Sequence, residues 1–302
     1  MSYFKSSLYC FHALFFTAVL VLAGLDSNVY AEKKHIIKFA TLAPEGSLWM
    51  KSLRRYSGKI KKATKGNVSF KFYPGGVSGD EKDVIRKMRI GQLHGAGFTG
   101  VGLGAILPET RVLDLPFLFK SDQEVEHVYK AMNDYFFERF DKKGYVLLGW
   151  VPVGWIHYLS QEPIKTVADL RASKPWLWKG DPLVEQAYEV MDVQPIPLSI
   201  TDVLLSLQTG MVDTVYSSTQ GALIFQWFTK VKYITRLRMS YATGGVLISK
   251  KKFKKLPPAY QEALKKIGSE RFADLAAVIQ EGNLKAEKVL ESNGIKWTPQ
   301  PE

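Results

Sequence analysis

The sequence predicts an α/β protein made of two lobes that share a cleft, with a long C-terminal helix bracing both lobes. Strand and helix patterns alternate over residues 36–98, and a second alternating series begins after about residue 155. Residues 257–292 form one further pattern, a long helix, kinked or straight. It begins at Pro257-Pro258 and ends at Asn293-Gly294.

The first series starts the predicted mature chain. An apolar strand over 36–40 precedes a helix over 49–63, where apolar residues recur at spacings of three and four. Strand 68–73, helix 81–90 and strand 93–98 follow, and Gly91 closes the second of these helices. This order predicts a parallel sheet with right-handed crossovers.

The second series contains a helix over 183–191 that begins after Pro182, a helix over 202–209 that ends at Gly210, and a buried strand over 211–216. Hinges are expected near 152–158 and 238–246, where one series gives way to the other. The predicted division of the chain is therefore lobe I over 32–155 and 241–256, lobe II over 156–240, and the long helix with its tail over 257–302.

The N-terminus has the pattern of a secretory signal peptide over residues 1–31. Lys5 supplies a positive charge, residues 13–24 are an apolar stretch, and Val29 and Ala31 fit the small-x-small cleavage rule. Cleavage after Ala31 would place the protein in the periplasm, and an uncleaved anchor is the alternative. The single cysteine, Cys10, lies in this leader, so the mature chain would contain no disulfide.

The formal net charge is +12, with basic clusters at 51–65 and 250–255. Such clusters can bind nucleic acid or anionic membranes, they can attract anionic solutes, or they can form solvated helix faces. In the first cluster the apolar spacing of helix 49–63 leaves the lysines pointing outward, which favours the solvated face. No nucleic-acid partner is predicted.

Catalytic and metal-binding patterns are weak. Residues 95–100 match GxGxxG, but no acidic residue follows at the distance that a dinucleotide site needs. No GxSxG motif occurs, and His35, His94, His127 and His157 lack the spacing of metal ligands. The sequence therefore predicts no enzyme, no metal site and no cofactor.

Several ordered motifs together resemble one family. These are residues 72–91 (FYPGGVSGDEKDVIRKMRIG), 113–119 (LDLPFLF), 164–170 (IKTVADL), 195–198 (PIPL) and 207–213 (LQTGMVD). In this order they resemble the substrate-binding proteins of tripartite ATP-independent periplasmic (TRAP) transporters.

That resemblance implies a periplasmic binding protein type II-like fold that closes over a small organic solute by hinge bending. It also implies delivery to the small and large membrane subunits of a permease. A ligand-binding sensor subunit of the same fold is the main alternative, and an exported enzyme is another.

The ligand-binding residues of that family are only partly present here. Where members carry an arginine that pairs with a solute carboxylate, this chain has Trp176. Where they carry Glu-Asn-Pro, residues 216–218 read Tyr-Ser-Ser. We therefore expect a larger, less acidic solute: an aromatic or hydrophobic carboxylate, a neutral ring compound, or a quaternary ammonium compound. Lys179, Arg171 or Arg111 could supply a displaced positive charge.

Eight residues are candidates for ligand contact. Trp176 and Trp178 share one face of a predicted strand, with Leu177 on the other face. Ordinary core packing is the alternative for every tryptophan. The full set comprises an aromatic group, Trp176, Trp178, Trp155 and Trp49, and a hydrogen-bonding group, Ser217, Ser218, Gln220 and Thr99.

Overall fold

The computed structural model of the chain describes residues 34–299. The predicted signal peptide and its cleavage site lie outside these residues. Within them, no helix is both long enough and apolar enough to cross a membrane.

The first sheet has five strands in the order β2-β1-β3-β11-β4. They are β1 (His35–Thr41), β2 (Val68–Tyr73), β3 (Gly95–Thr99), β4 (Tyr145–Trp150) and β11 (Gly244–Ser249). The parallel pairing predicted for the first three strands is confirmed, since β1 pairs in parallel with both β2 and β3. The whole sheet is mixed, because β11 inserts antiparallel between β3 and β4.

The second sheet runs β10-β5-β9-β12, and β8 also pairs with β5. Its strands are β5 (Gly154–Ser160), β8 (Thr214–Ser217), β9 (Tyr233–Thr235), β10 (Ser240–Ala242) and β12 (Lys296–Thr298). Two short strands, β6 (Trp176–Trp178) and β7 (Ile196–Leu198), form a separate parallel pair. The chain passes between the two large sheets three times: at 151–153, at Thr243, and through residues 250–295 on the way to β12. The first two crossings fall within or beside the predicted hinges.

The described part of the chain also contains eleven α-helices. They are α1 (Leu48–Ala63), α2 (Glu81–Arg89), α3 (Gly100–Ile106), α4 (Asp122–Lys142), α5 (Val167–Ala172), α6 (Pro182–Val190), α7 (Val203–Thr209), α8 (Thr219–Ile224), α9 (Lys250–Phe253), α10 (Pro258–Ala273) and α11 (Leu275–Ser292). A 3-10 helix, Pro108–Asp114, follows α3.

The single helix predicted over 257–292 is two helices that meet at Asp274, whose φ of −65° and ψ of −23° stay in the helical region. Helix α10 packs on α1 and β4, beside the first sheet, and α11 contacts α1 and α8. The tail then adds β12 to the second sheet, a strand that the sequence patterns did not predict. The residue ranges assigned to the two lobes stay a prediction.

The first sheet is buried on both faces, as expected of strands covered by helices on each side. Leu147 and Leu247 pack on one face, while Val146 and Val246 pack on the other. A third apolar cluster lies at the second sheet and includes Trp176. The wall of the cavity described next draws residues from all three clusters.

Candidate functional site

A cavity of about 780 Å³ lies between the two sheets. Strands β3 and β11 of the first sheet contribute Phe98 and Val246, and strand β5 of the second sheet contributes Ile156 and Tyr158. Most of the wall consists of carbon atoms of apolar side chains. The volume lies within the 300–1,000 Å³ range that is common for small-molecule sites.

Five of the eight candidate ligand residues lie in the wall of this cavity, and three lie outside it. The wall includes Trp49, Thr99, Trp176, Trp178 and Ser217. Trp155, Ser218 and Gln220 are outside the wall. Ligand contact by any of the eight stays a prediction.

Trp176 is a wall residue that belongs mainly to the core. It is 1% exposed, its ring stacks on Tyr216 at 4.7 Å, and it meets the edge of Trp227 at 5.3 Å. Its indole N–H donates to the carbonyl of Leu198 at 3.1 Å. The packing alternative therefore accounts for most of this side chain, and only a small part of it can reach a ligand.

Trp178 has a different role in the same strand. It packs in the cluster of Trp176, whereas Leu177 packs in a separate cluster, so the predicted sharing of one face is confirmed. The indole N–H of Trp178 donates to Asp80 Oδ2 at 3.0 Å, and the Ser199 hydroxyl donates to the same oxygen at 2.7 Å. Asp80 also caps α2, so one carboxylate links the helix beside the first sheet to the β6–β7 pair.

The three residues outside the wall have structural contacts instead. The indole N–H of Trp155 donates to Asp122 Oδ1 at 3.2 Å. Ser218 caps α8 by accepting from the Gly221 N–H at 3.1 Å. The backbone N–H of Gln220 donates to Asn283 Oδ1 at 3.1 Å, which ties α8 to α11.

Glu81 is a wall residue that the sequence patterns identified only as the start of a helix. It is 2% exposed, and its carboxylate accepts from the Thr99 N–H at 2.6 Å, the Thr99 hydroxyl at 2.9 Å and the Gly102 N–H at 2.6 Å. Burial raises the pKa of Glu81 to about 7, against the three donors, which favour the charged form. Thr99 is therefore already bonded to protein at the cavity wall.

An ion-pair cluster around Arg111 also lies in the wall. Arg111 Nη1 donates to Asp114 Oδ2 at 2.6 Å, and Nη2 donates to both oxygens of Asp181 at 2.8 Å. Asp114 accepts a further bond from the Thr243 N–H at 2.9 Å. Burial raises the pKa of Asp114 to about 6, although the Arg111 charge opposes that rise. Asp181 caps α6 by accepting from the Leu183 N–H, so the guanidinium joins two distant elements.

The three basic residues that could supply a displaced positive charge are placed differently. Arg111 lines the cavity, whereas Lys179 and Arg171 are exposed and lie outside the wall. The Arg171 Nε donates to the carbonyl of Met191 at 2.8 Å. Among residues 34–299, no cluster of His, Cys, Asp and Glu has the geometry of a metal site.

Comparison with known proteins gives the same fold and one family. Residues 39–302 match the family described as bacterial extracellular solute-binding protein, family 7. A solute-binding protein of Chromohalobacter salexigens is 25% identical over 251 residues, which cover 82% of this chain and 74% of that protein. The 2,3-diketo-L-gulonate-binding periplasmic protein of Escherichia coli is 26% identical over 216 residues, covering 70% of this chain and 65% of that protein.

Solved structures of solute-binding proteins have the same fold as this chain. A TRAP periplasmic solute-binding protein from Pseudomonas putida F1 with bound D-glucuronate superposes with a TM-score of 0.82 at 24% identity, covering 87% of this chain and 86% of that one. A TRAP periplasmic solute-binding protein from Desulfovibrio salexigens with bound orotic acid also gives 0.82, at 21% identity, covering 88% and 86%. The predicted two-lobed α/β fold is therefore confirmed.

Proposed function

The chain belongs to family 7 of the bacterial extracellular solute-binding proteins, and we propose that it captures an apolar or aromatic organic molecule for a TRAP-type importer. In this proposal the solute is enclosed between the two sheets in the periplasm and is then passed to membrane permease subunits. The chain acts by binding and catalyses no reaction.

The apolar cavity is the observation that carries this proposal. Three pairs of its polar wall groups already bond to each other: Glu81 accepts from Thr99, Arg111 donates to Asp181, and the Tyr216 hydroxyl accepts from the backbone N–H of Trp178. A polar solute would find few free partners in such a wall, and would lose its bonds to water on entry. An apolar solute loses nothing comparable.

The size of the cavity allows a ring system. A volume of 780 Å³ holds about 26 water molecules at ~30 Å³ each. A ligand that buries about 200 Å² of apolar surface gains about 5 kcal/mol at ~25 cal/mol per Å². That is close to the ~5.5 kcal/mol by which a ligand must prefer the closed state over the open state to move their equilibrium from 1:99 to 99:1. Apolar burial alone can therefore support closure.

The solutes named for the similar structures are polar acids. D-glucuronate and orotic acid are bound in the proteins from Pseudomonas putida and Desulfovibrio salexigens. The apolar wall of this chain favours a different class of solute within the same fold. Small sugar acids are thus the natural comparison set for a binding test.

A thermal-shift screen tests the proposal. The probes are neutral aromatics, aromatic acids, quaternary amines, aliphatic dicarboxylates and D-glucuronate. A probe at 100 times its Kd stabilises the protein by about 2.7 kcal/mol. We expect neutral aromatic compounds to raise the Tm and sugar acids and dicarboxylates to leave it unchanged.

A pair of valine variants shows whether the probe binds in the cavity. Val153→Phe narrows the cavity from a half-buried wall position, whereas Val77→Phe adds the same ring at a residue that is 73% exposed and outside the wall. The first variant should lose the ligand-induced shift and the second should keep it. Shifts produced by dicarboxylates or D-glucuronate alone would refute the apolar solute and leave the family assignment intact.

A further inference from the structure

The wall contains two basic residues: Lys165, which is exposed, and Arg111, whose side chain is 15% exposed. A guanidinium in an apolar cavity is the group best suited to hold a solute carboxylate, because its planar fork matches the two oxygens. Whether the cavity accepts acids therefore depends on which faces of Arg111 are free.

Most of that guanidinium is already engaged by carboxylates of the protein. Nη1 bonds to Asp114 and Nη2 bonds to both oxygens of Asp181. The remaining nitrogen, Nε, is buried without a hydrogen-bond partner. It lies toward α3, where a Cβ added to Gly104 would come within 3.7 Å of Nε and within 2.6 Å of the Arg111 Cδ. The Arg111 side chain is 15% exposed, and both of its terminal nitrogens already bond to carboxylates of the protein, so little of the guanidinium is left for a solute carboxylate.

The charges of the buried wall also oppose an anion. The wall contains three buried carboxyl groups, those of Glu81, Asp114 and Asp181, and a single guanidinium. With Glu81 protonated, the set Arg111, Asp114 and Asp181 still sums to one negative charge. An enclosed anion would add a second negative charge to this wall, and moving a carboxylate out of water without a partner costs free energy.

One short segment, residues 176–181, supplies both a tryptophan of the wall and one of the two carboxylates that bind Arg111. The segment places Trp176 in the wall and ends at Asp181, whose side chain is 3% exposed and binds Arg111. We propose that Asp181, together with Asp114, determines the ligand class: these internal carboxylates occupy Arg111, so the cavity accepts uncharged apolar molecules and rejects their carboxylate analogues. This inference rests on the proposed function and specifies its solute as neutral.

Matched pairs of probes test the inference. 2-Naphthamide and 2-naphthoate, and phenylacetamide and phenylacetate, differ in charge but scarcely in shape. Titration calorimetry at pH 7.5 should show the amide of each pair binding at least a hundredfold more tightly than the acid. An acid that binds as well as its amide would overturn the inference and leave the apolar-solute proposal standing. If neither member of any pair binds, and no other ring compound of the screen binds, the proposed function fails and the inference fails with it.

Two aspartate variants test whether the preference for the amide depends on a charge in the cavity wall. Asp181→Asn removes one charge and keeps a side chain that can cap α6. It should reduce the amide-over-acid preference at least tenfold. Asp83→Asn makes the same change of net charge in an exposed ion pair with Arg86 outside the wall, and should leave the preference unchanged. Equal loss of preference in the two variants would overturn the role of Asp181. A melting curve of each variant without probe shows that it is folded.

Discussion

Replacing Trp176 by alanine should destabilise the protein far more than replacing a residue whose side chain only contacts a ligand. The side chain is 1% exposed, and it packs against Tyr216 and Trp227. Truncation of a buried tryptophan costs about 3–5 kcal/mol through lost transfer energy and the cavity that remains. The indole bond to the Leu198 carbonyl at 3.1 Å is lost as well, which adds about 1 kcal/mol. We expect a total of about 4–6 kcal/mol.

Trp176→Phe is the matched variant, because it keeps a ring against Tyr216 and removes the indole N–H. We expect a loss of about 1–2 kcal/mol from the missing hydrogen bond and the smaller ring. Urea denaturation followed by tryptophan fluorescence measures both variants, and the shift in midpoint at constant m-value gives the change in the free energy of unfolding. Trp227 remains as a reporter in each.

A small effect would refute this reasoning. If Trp176→Ala changed the free energy of unfolding by less than about 1 kcal/mol, the ring could not be packed as the structure shows. It would then face the cavity or solvent, and ligand contact would be its main role. A large effect also means that lost binding in Trp176→Ala reports unfolding, so binding should be measured in Trp176→Phe.

Two further predictions concern the polar part of the wall. A Cβ at Gly100 would overlap the Asp114 carboxylate and lie 2.5 Å from Arg111 Nη1, so Gly100→Ala should lower the free energy of unfolding by about 3–5 kcal/mol by breaking the ion pair. Gly58→Ala lies in helix α1 with open space around it and should instead raise that free energy by about 0.5–1 kcal/mol. Equal shifts of the urea midpoint in the two variants would contradict the geometry of the Arg111 cluster. Burial raises the pKa of Glu81 from 4.5 to about 7, so the folded state binds this proton more tightly than the unfolded state, and the stability that results is full below pH 4.5 and is lost as pH rises through 7. The free energy of unfolding of the wild type minus that of Glu81→Gln should therefore fall by about 3 kcal/mol between pH 4.5 and pH 8; a difference that is constant with pH would mean that the carboxyl is not desolvated.

Much of the local structure could be predicted because it depends on neighbours along the chain. Helix α1 was predicted over 49–63 and is Leu48–Ala63, since its apolar residues repeat at the helical period. Helix α7 ends as expected at Gly210, which takes the left-handed conformation with a φ of 71°. The same local logic failed at Asp274, where a continuous helical pattern divides into two helices.

Sheet pairing between distant segments could not be predicted in the same way. Strand β11 enters the first sheet antiparallel between β3 and β4, although it lies about 100 or more residues from each in sequence. An apolar strand pattern shows that a segment is buried, but it does not show which partners supply its backbone hydrogen bonds. The assignment of 241–256 to lobe I rested on the hinge expected near 238–246, and it identified no strand partner.

What the sequence by itself determined is the family and about half of the helices and strands, among them α1, α2 and α7 and strands β1, β2 and β3. These depend on the order of motifs and on patterns within about ten residues. The tertiary structure alone decided that Arg111 is paired with Asp181, 70 residues away, and that Glu81 is enclosed by Thr99 and Gly102. The physical reason is that the charge available to a ligand depends on which side chains the fold brings within hydrogen-bond distance and removes from water, and neither is encoded in local spacing.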